Sequence, residues 1–167
     1  MIIQHKQGNL GTIDNGSKVI DWLQLQWFET SKRILHKKTK SGIEISLKFL
    51  KENAALTEGD ILFEDDATII AVEVIPCECI VIKPAGMFEM ASACYEIGNR
   101  HLPLFFENDE LLVPFENPLY KLLQAHGFKV IKEERKLLQP LKTTISPHVS
   151  GESTSLFSRI MKLSNNE

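Results

Sequence analysis

The sequence predicts an α+β fold in two units. A β-rich small domain spans residues 1–74, and a ferredoxin-like βαββαβ domain spans residues 75–141. A polar, flexible tail over residues 142–167 follows. Three observations carry this reading. Up to Val74, short runs of partial apolar alternation are separated by Gly, Asn, Asp and Ser. From Cys77 the periodicities change to strand, helix, strand, strand, helix, strand. After Leu141 the chain turns to Ser, Thr, Asn and charge.

In chain order, Ile2-Ile3, Ser17 to Leu25, Arg33 to Lys37, Ile43 to Leu47, Ile61 to Phe63 and Thr68 to Val74 read as strands. Turn chemistry at Gly8-Asn9, Asn15-Gly16, Ser41-Gly42 and Gly59-Asp60 punctuates them. This is the pattern of a small β-sandwich or barrel. Cys77 to Ile82 is a strand bounded by Pro76 and Pro84. Met87, Met90, Ala91, Cys94 and Tyr95 fall on one face of a helix. Leu104 to Phe106 and Leu111 to Val113 flank Glu107-Asn108-Asp109-Glu110 as a hairpin. Asn117 reads as an N-cap with Pro118 at the first helical position. Leu119, Leu122 and Leu123 follow on that helix, which Gly127 stops. Phe128 to Ile131 is the last strand of the domain, and the tail carries a short helix at Leu156 to Leu163.

The totals bound the function. Hydrophobic residues are 43% and charged residues 25%, the balance of an ordinary soluble protein. A net charge of -3 argues against binding a nucleic-acid backbone. No run approaches roughly 18 uninterrupted apolar residues, so no membrane span is expected. The N-terminus lacks a signal-peptide pattern. Three cysteines, an odd number, suit a reducing compartment, so the expected location is cytoplasmic. There is no phosphate loop, no Gly-x-Ser-x-Gly elbow and no triad pattern, so no enzyme is expected.

The informative stretch is Cys94-Tyr95-Glu96-Ile97-Gly98-Asn99-Arg100-His101-Leu102-Pro103-Leu104. It puts His101 just after a glycine-terminated helix, with proline two residues later, so the imidazole sits at an element edge. Imidazole suits nickel, copper and zinc ions. One imidazole binds such an ion weakly, but an isologous dimer can bring residue 101 of both chains together. His148, in Ser146-Pro147-His148, reads by composition as a solvated tail residue; alternatively a mobile arm brings it to the metal as a releasable ligand.

The other candidates are weaker. Cys77 and Cys79 point to one face of a strand and, with no second Cys pair, read as core rather than a structural zinc site. Cys94 reads as a small core residue. His5, His36 and His126 have no partners at ligand spacing, although His126 suits a helix C-terminus. Trp22, Trp27 and Phe28 read as core, or as a docking patch if exposed. Lys32-Arg33 and His36-Lys37-Lys38 form a short solvated basic run.

The motif Gly98-Asn99-Arg100-His101 resembles that of the UreE urease accessory family. The resemblance extends to Leu25-Gln26-Trp27-Phe28-Glu29-Thr30 with Arg33, Gly59-Asp60-Ile61-Leu62, Ile70-Ala71-Val72 and Gly127 to Val130. It implies a peptide-binding-like first domain and a ferredoxin-like metal domain that forms a homodimer. It implies a nickel metallochaperone, able to take zinc as well and needing no organic cofactor. Its implied partners are a urease accessory GTPase and the urease apoprotein activation complex, with no nucleic acid or membrane. The family's motif histidine, a metal ligand at the dimer interface, matches His101, and a tail histidine of some relatives matches His148. Some relatives carry a His-x-His pair where this chain has approximately Phe115 and Asn117, and some a histidine-rich tail. A low-capacity carrier is therefore expected. The alternative is a two-domain interaction adaptor in which metal binding is incidental. A metal-dependent hydrolase is a third reading, but no carboxylate or base beside an open metal position supports it.

Overall fold

The structure is a computed structural model that describes residues 1–13, 16–50 and 55–141. His148, the tail and its expected helix lie outside the described residues.

The first domain faces two sheets across one core. Strands β1 (Ile2–Ile3), β5 (Glu44–Lys48) and β4 (Ile34–Lys38) form one sheet, in the order β1-β5-β4. Strands β2 (Gly8–Asn9), β6 (Asp60–Glu64), β7 (Thr68–Val74) and β3 (Val19–Leu25) form the other, in the order β2-β6-β7-β3. Alternation in β3 and β5 aims Leu23, Leu25, Ile45 and Leu47 inward, where they pack with Phe49, Leu62, Ile70 and Val72. The four-stranded sheet buries its second face too, under Leu10, Ile20 and Trp22. Strands covered on both faces lose strict alternation, which explains the continuous apolar run of β7.

Gly8-Asn9, read from sequence as a turn, is instead a two-residue strand paired with Ile61 and Asp60. The Asn9 amide holds it there, donating to the Glu58 carbonyl at 2.9 Å and to Asp60 Oδ1 at 3.0 Å. Asp60 is 4% exposed and also accepts from the Thr57 amide at 2.8 Å and Lys6 Nζ at 3.0 Å. Burial pushes its carboxyl upward, but the bonds from Asn9, Thr57 and Lys6 outweigh burial and hold it below the ordinary range. A depressed carboxyl stabilises the fold above its unfolded value and stops doing so as pH falls through the folded value. Asp60→Asn should therefore cost about 1–3 kcal/mol at pH 7. The gap from wild type should narrow in urea denaturation repeated below about pH 4.

The second domain is one antiparallel sheet in the order β11-β8-β10-β9, the ferredoxin-like arrangement. Its elements are β8 (Cys77–Ile82), α1 (Met87–Gly98), β9 (Phe105–Glu107), β10 (Glu110–Pro114), α2 (Asn117–Ala125) and β11 (Val130–Arg135). Ile80 and Ile82, Leu111 and Val113 pack one face of the sheet against Ala93 and Ile97 of α1 and Leu119 and Leu123 of α2. Asn108 and Asp109, with φ of 49° and 62°, make the two-residue left-handed turn of the hairpin.

Two boundaries differ from expectation. Glu116, not Asn117, caps α2, because its carbonyl already accepts from the Tyr120 amide at 2.9 Å. Asn117 makes no capping bond and is the first helical residue. The last strand starts at Val130 rather than Phe128. Phe128 closes the helix end instead: its amide bonds the Leu123 carbonyl, and that of Gly127 (φ 84°) bonds Gln124, both at 3.0 Å.

The domains join on the other face of the second sheet. Cys79, Val81, Phe105, Leu112 and Leu137 cluster there with Trp27 of the first domain. The Trp27 and Phe105 rings meet edge to face at 5.5 Å, and Lys136 pairs with Glu58 at 2.7 Å.

Candidate metal centre

Helix α1 is the mount. Ala93 and Ile97 are fully buried under it, with Met90 and Cys94 packed beside them. Its outward face is apolar as well: Met87 and Phe88 are each 88% exposed and Tyr95 70%. At the C-terminal end the amides of Asn99, Arg100 and His101 bond the carbonyls of Tyr95, Ile97 and Gly98 at 2.9–3.0 Å. Gly98 is the last helical residue, and the left-handed conformation that ends the turn falls on His101, with φ of 55°. A side chain there costs roughly 1–2 kcal/mol, and histidine is among the residues that tolerate it best.

The turn leaves the imidazole in solvent. Arg100 folds back on the helix, its Nη1 reaching Glu96 Oε2 at 2.8 Å and the Glu96 carbonyl at 2.6 Å. Leu102 and Leu104 then turn inward, so His101 is an exposed residue between two anchored ones.

No group of three or more His, Cys, Asp or Glu side chains that could hold a metal ion occurs among the described residues. Among the described residues, then, His101 belongs to no such group. His36 Nδ1 meets Ser46 Oγ at 2.8 Å in the first domain. His126 caps α2 and borders a shallow groove between the helices with Phe88, Tyr95, Glu96 and Phe128. Cys77 and Cys79 lie on the sheet face away from α1, as expected of core thiols. Burial pushes both upward, Cys79 to about 11, which keeps it a neutral thiol. Phe115 stacks on Tyr120 at 5.8 Å and supports no ligand role.

Sequence reasoning missed one feature near His101. After β11 the chain does not leave the sheet. Leu137 is buried at the domain junction, the Gln139 carbonyl accepts from Phe106 at 3.1 Å, and the Leu141 amide donates to Leu104 at 2.7 Å. Residues 136–141 thus form a strap along the edge of β9, with a bridge between Phe105 and Pro140. Leu137-Leu138 followed by Pro140 was the available signal, since proline in a strand marks an edge.

Comparisons with known proteins agree with this architecture. Residues 3–75 match the family model "UreE urease accessory protein, N-terminal domain", and residues 77–148 match its C-terminal counterpart. A urease accessory protein UreE of Flavobacterium johnsoniae is 46% identical over 163 residues, covering 98% of this chain and 99% of the relative. UreE of Acetivibrio thermocellus is 38% identical, covering 84% of this chain and 92% of its own. That of Helicobacter pylori is 38% identical over 89% of both chains. With both domains matched and close relatives spanning nearly its whole length, the chain belongs to the UreE family of urease accessory proteins, which are accessory chaperones and not enzymes.

Proposed function

We propose that this chain is a nickel carrier that works as a homodimer and delivers its ion to the urease apoprotein during activation, together with a GTPase partner in the cytoplasm. Residues 75–141 handle metal and dimerisation, residues 1–74 dock partners, and the tail from residue 142 supplies a second ligand. The carrying observation is His101: an exposed imidazole on a rigid helix end, beside a helix face too apolar to be left in water. Two copies meeting on that face would converge two imidazoles, a minimal nickel or zinc site. Loose coordination suits cargo, because a carrier must release what it binds.

His148 fits as the removable ligand. Leu141 is tied to Leu104, three residues from His101. His148 lies seven residues beyond Leu141, an extended reach of about 23–25 Å. Truncation after Leu141 should weaken nickel binding, leave it measurable, and leave the dimer intact. Binding should weaken as pH falls, because a protonated imidazole cannot ligate. Calorimetric nickel titrations of both chains across pH 5.5–8 check this. Equal affinity at every pH would reduce His148 to a tail residue. Nickel binding that ignores His101 altogether would favour the adaptor reading.

A further inference from the structure

The first domain leaves one long strand edge open. Strand β4 ends its sheet, in register with β5 at Ile34↔Lys48, His36↔Ser46 and Lys38↔Glu44. The Phe49 amide bonds the Arg33 carbonyl at 2.8 Å, and the Thr39 amide bonds the Ile43 carbonyl at 2.9 Å. Antiparallel bonding alternates, so Leu35 and Lys37 also direct their backbone groups to β5, while Ile34, His36 and Lys38 aim theirs away from it. Among the described residues nothing pairs with those three backbones. Such an edge is a template for another strand. The other edges differ. The strap covers β9, the Trp22 carbonyl of β3 accepts from the Lys40 amide at 2.9 Å, and β11 mixes Lys132, Glu133, Glu134 and Arg135.

The charge around β4 has one sign. From Ser31 to Leu50 there are six Lys and Arg and one Glu, on a chain of net charge -3. Lys37 pairs with Glu29 at 2.5 Å and Lys40 with Glu73 at 3.0 Å. Lys38 meets Glu44 at 3.2 Å, but both are mostly exposed, so that pair contributes little. Lys32, Arg33 and Lys48 have no acidic partner among the described residues, and Lys32 instead lies over the Phe28 ring. Ile34, 55% exposed, adds an apolar anchor on the same edge.

We propose that the β4 edge docks an extended acidic segment of a partner protein, which joins this sheet as a further strand. The inference rests on the reading of residues 1–74 as the docking domain, and it names the surface and the partner's chemistry. Backbone bonds to Ile34, His36 and Lys38 supply affinity, and carboxylates on the outer face meet Lys38 and Lys48 and supply selectivity. Lysines on an edge also guard against self-pairing. The two roles agree: two β4 edges brought together oppose like charges, whereas an acidic strand is drawn in.

The test is amide hydrogen exchange, read by NMR, on the isotope-labelled full chain with a short synthetic peptide of alternating Glu and Val at low salt. At saturation the peptide should slow exchange of the Ile34, His36 and Lys38 amides at least about tenfold. Leu35 and Lys37, already bonded to β5, should be unchanged. His36→Pro removes the central outward amide and no bond to β5, and should weaken binding about five- to tenfold. Lys38→Glu combined with Lys48→Glu leaves the backbone intact and should weaken it by a similar factor. Should His36→Pro fail to fold, the exchange pattern and the charge variant still decide. The same peptide with its backbone amides methylated keeps the charge and loses its donors, so it should bind at least about tenfold more weakly. Equal binding by the methylated peptide would mean a plain basic patch and overturn the proposal. No binding at millimolar peptide, or protection elsewhere in residues 1–74, would overturn the β4 edge while leaving the first domain as the docking domain. Protection confined to residues 75–141 would overturn both.

Discussion

His101→Ala should abolish the tightest nickel site and leave the fold standing. The side chain makes no packing contact that the core depends on, whereas Leu102 and Leu104 beside it do. Residues that merely orient a ligand are worth 10- to 100-fold in metal affinity. Removing the ligand from both copies should therefore cost about 100-fold or more. A companion variant separates function from fold. His101 holds a left-handed backbone at φ of 55°, so His101→Gly should raise stability by about 1 kcal/mol while removing the site. For a domain of this size that is a rise in melting temperature of about 4–8 °C. A His101→Gly protein that melts lower than wild type would mean the imidazole contributes to the fold. Either variant still binding one nickel per dimer tightly would refute the assignment.

That strain is also where sequence reading stopped. Gly98 was the natural residue to take a positive φ, but it ends the helix in ordinary geometry and the histidine three residues on takes the turn. The elements with strong local punctuation were legible. Strands β7 and β8 fall at Thr68–Val74 and Cys77–Ile82, as their periodicity and Pro76 indicate. Strand β2 and the strap were not, because each is a few residues long and exists only through a distant partner, Ile61 for one and Leu104 and Phe106 for the other. Trp27 was legible as apolar. That it reaches Phe105, in the other domain, was not, since nothing local encodes a contact 78 residues away. The motif around His101 was legible only through resemblance, because one imidazole has no spacing of its own.

On the proposed α1-to-α1 dimer, Phe88→Asp should give a 19.0 kDa monomer and take the shared nickel site with it. Phe88 is 88% exposed, so within one copy the change touches little and should shift folding stability by roughly 0.5 kcal/mol or less. Its effect should appear only where a second copy covers the α1 face. An isologous contact places the two copies of a residue in related positions, so one substitution installs two carboxylates in an apolar interface. Burying unpaired charge costs several kcal/mol, and each 1.4 kcal/mol is tenfold, so dimer affinity should fall at least about 100-fold. Phe88→Leu, which keeps the face apolar, should remain dimeric. Sedimentation velocity and circular dichroism on the same samples separate dissociation from unfolding. Monomers should then bind nickel no better than a lone imidazole allows, although every copy retains His101. This distinguishes a shared site from two independent ones: if Phe88→Asp monomers hold nickel as tightly as the dimer, the ligands must all lie within one chain. A persistent dimer would place the interface elsewhere, and the apolar face of α1 would then belong to a partner rather than to a second copy.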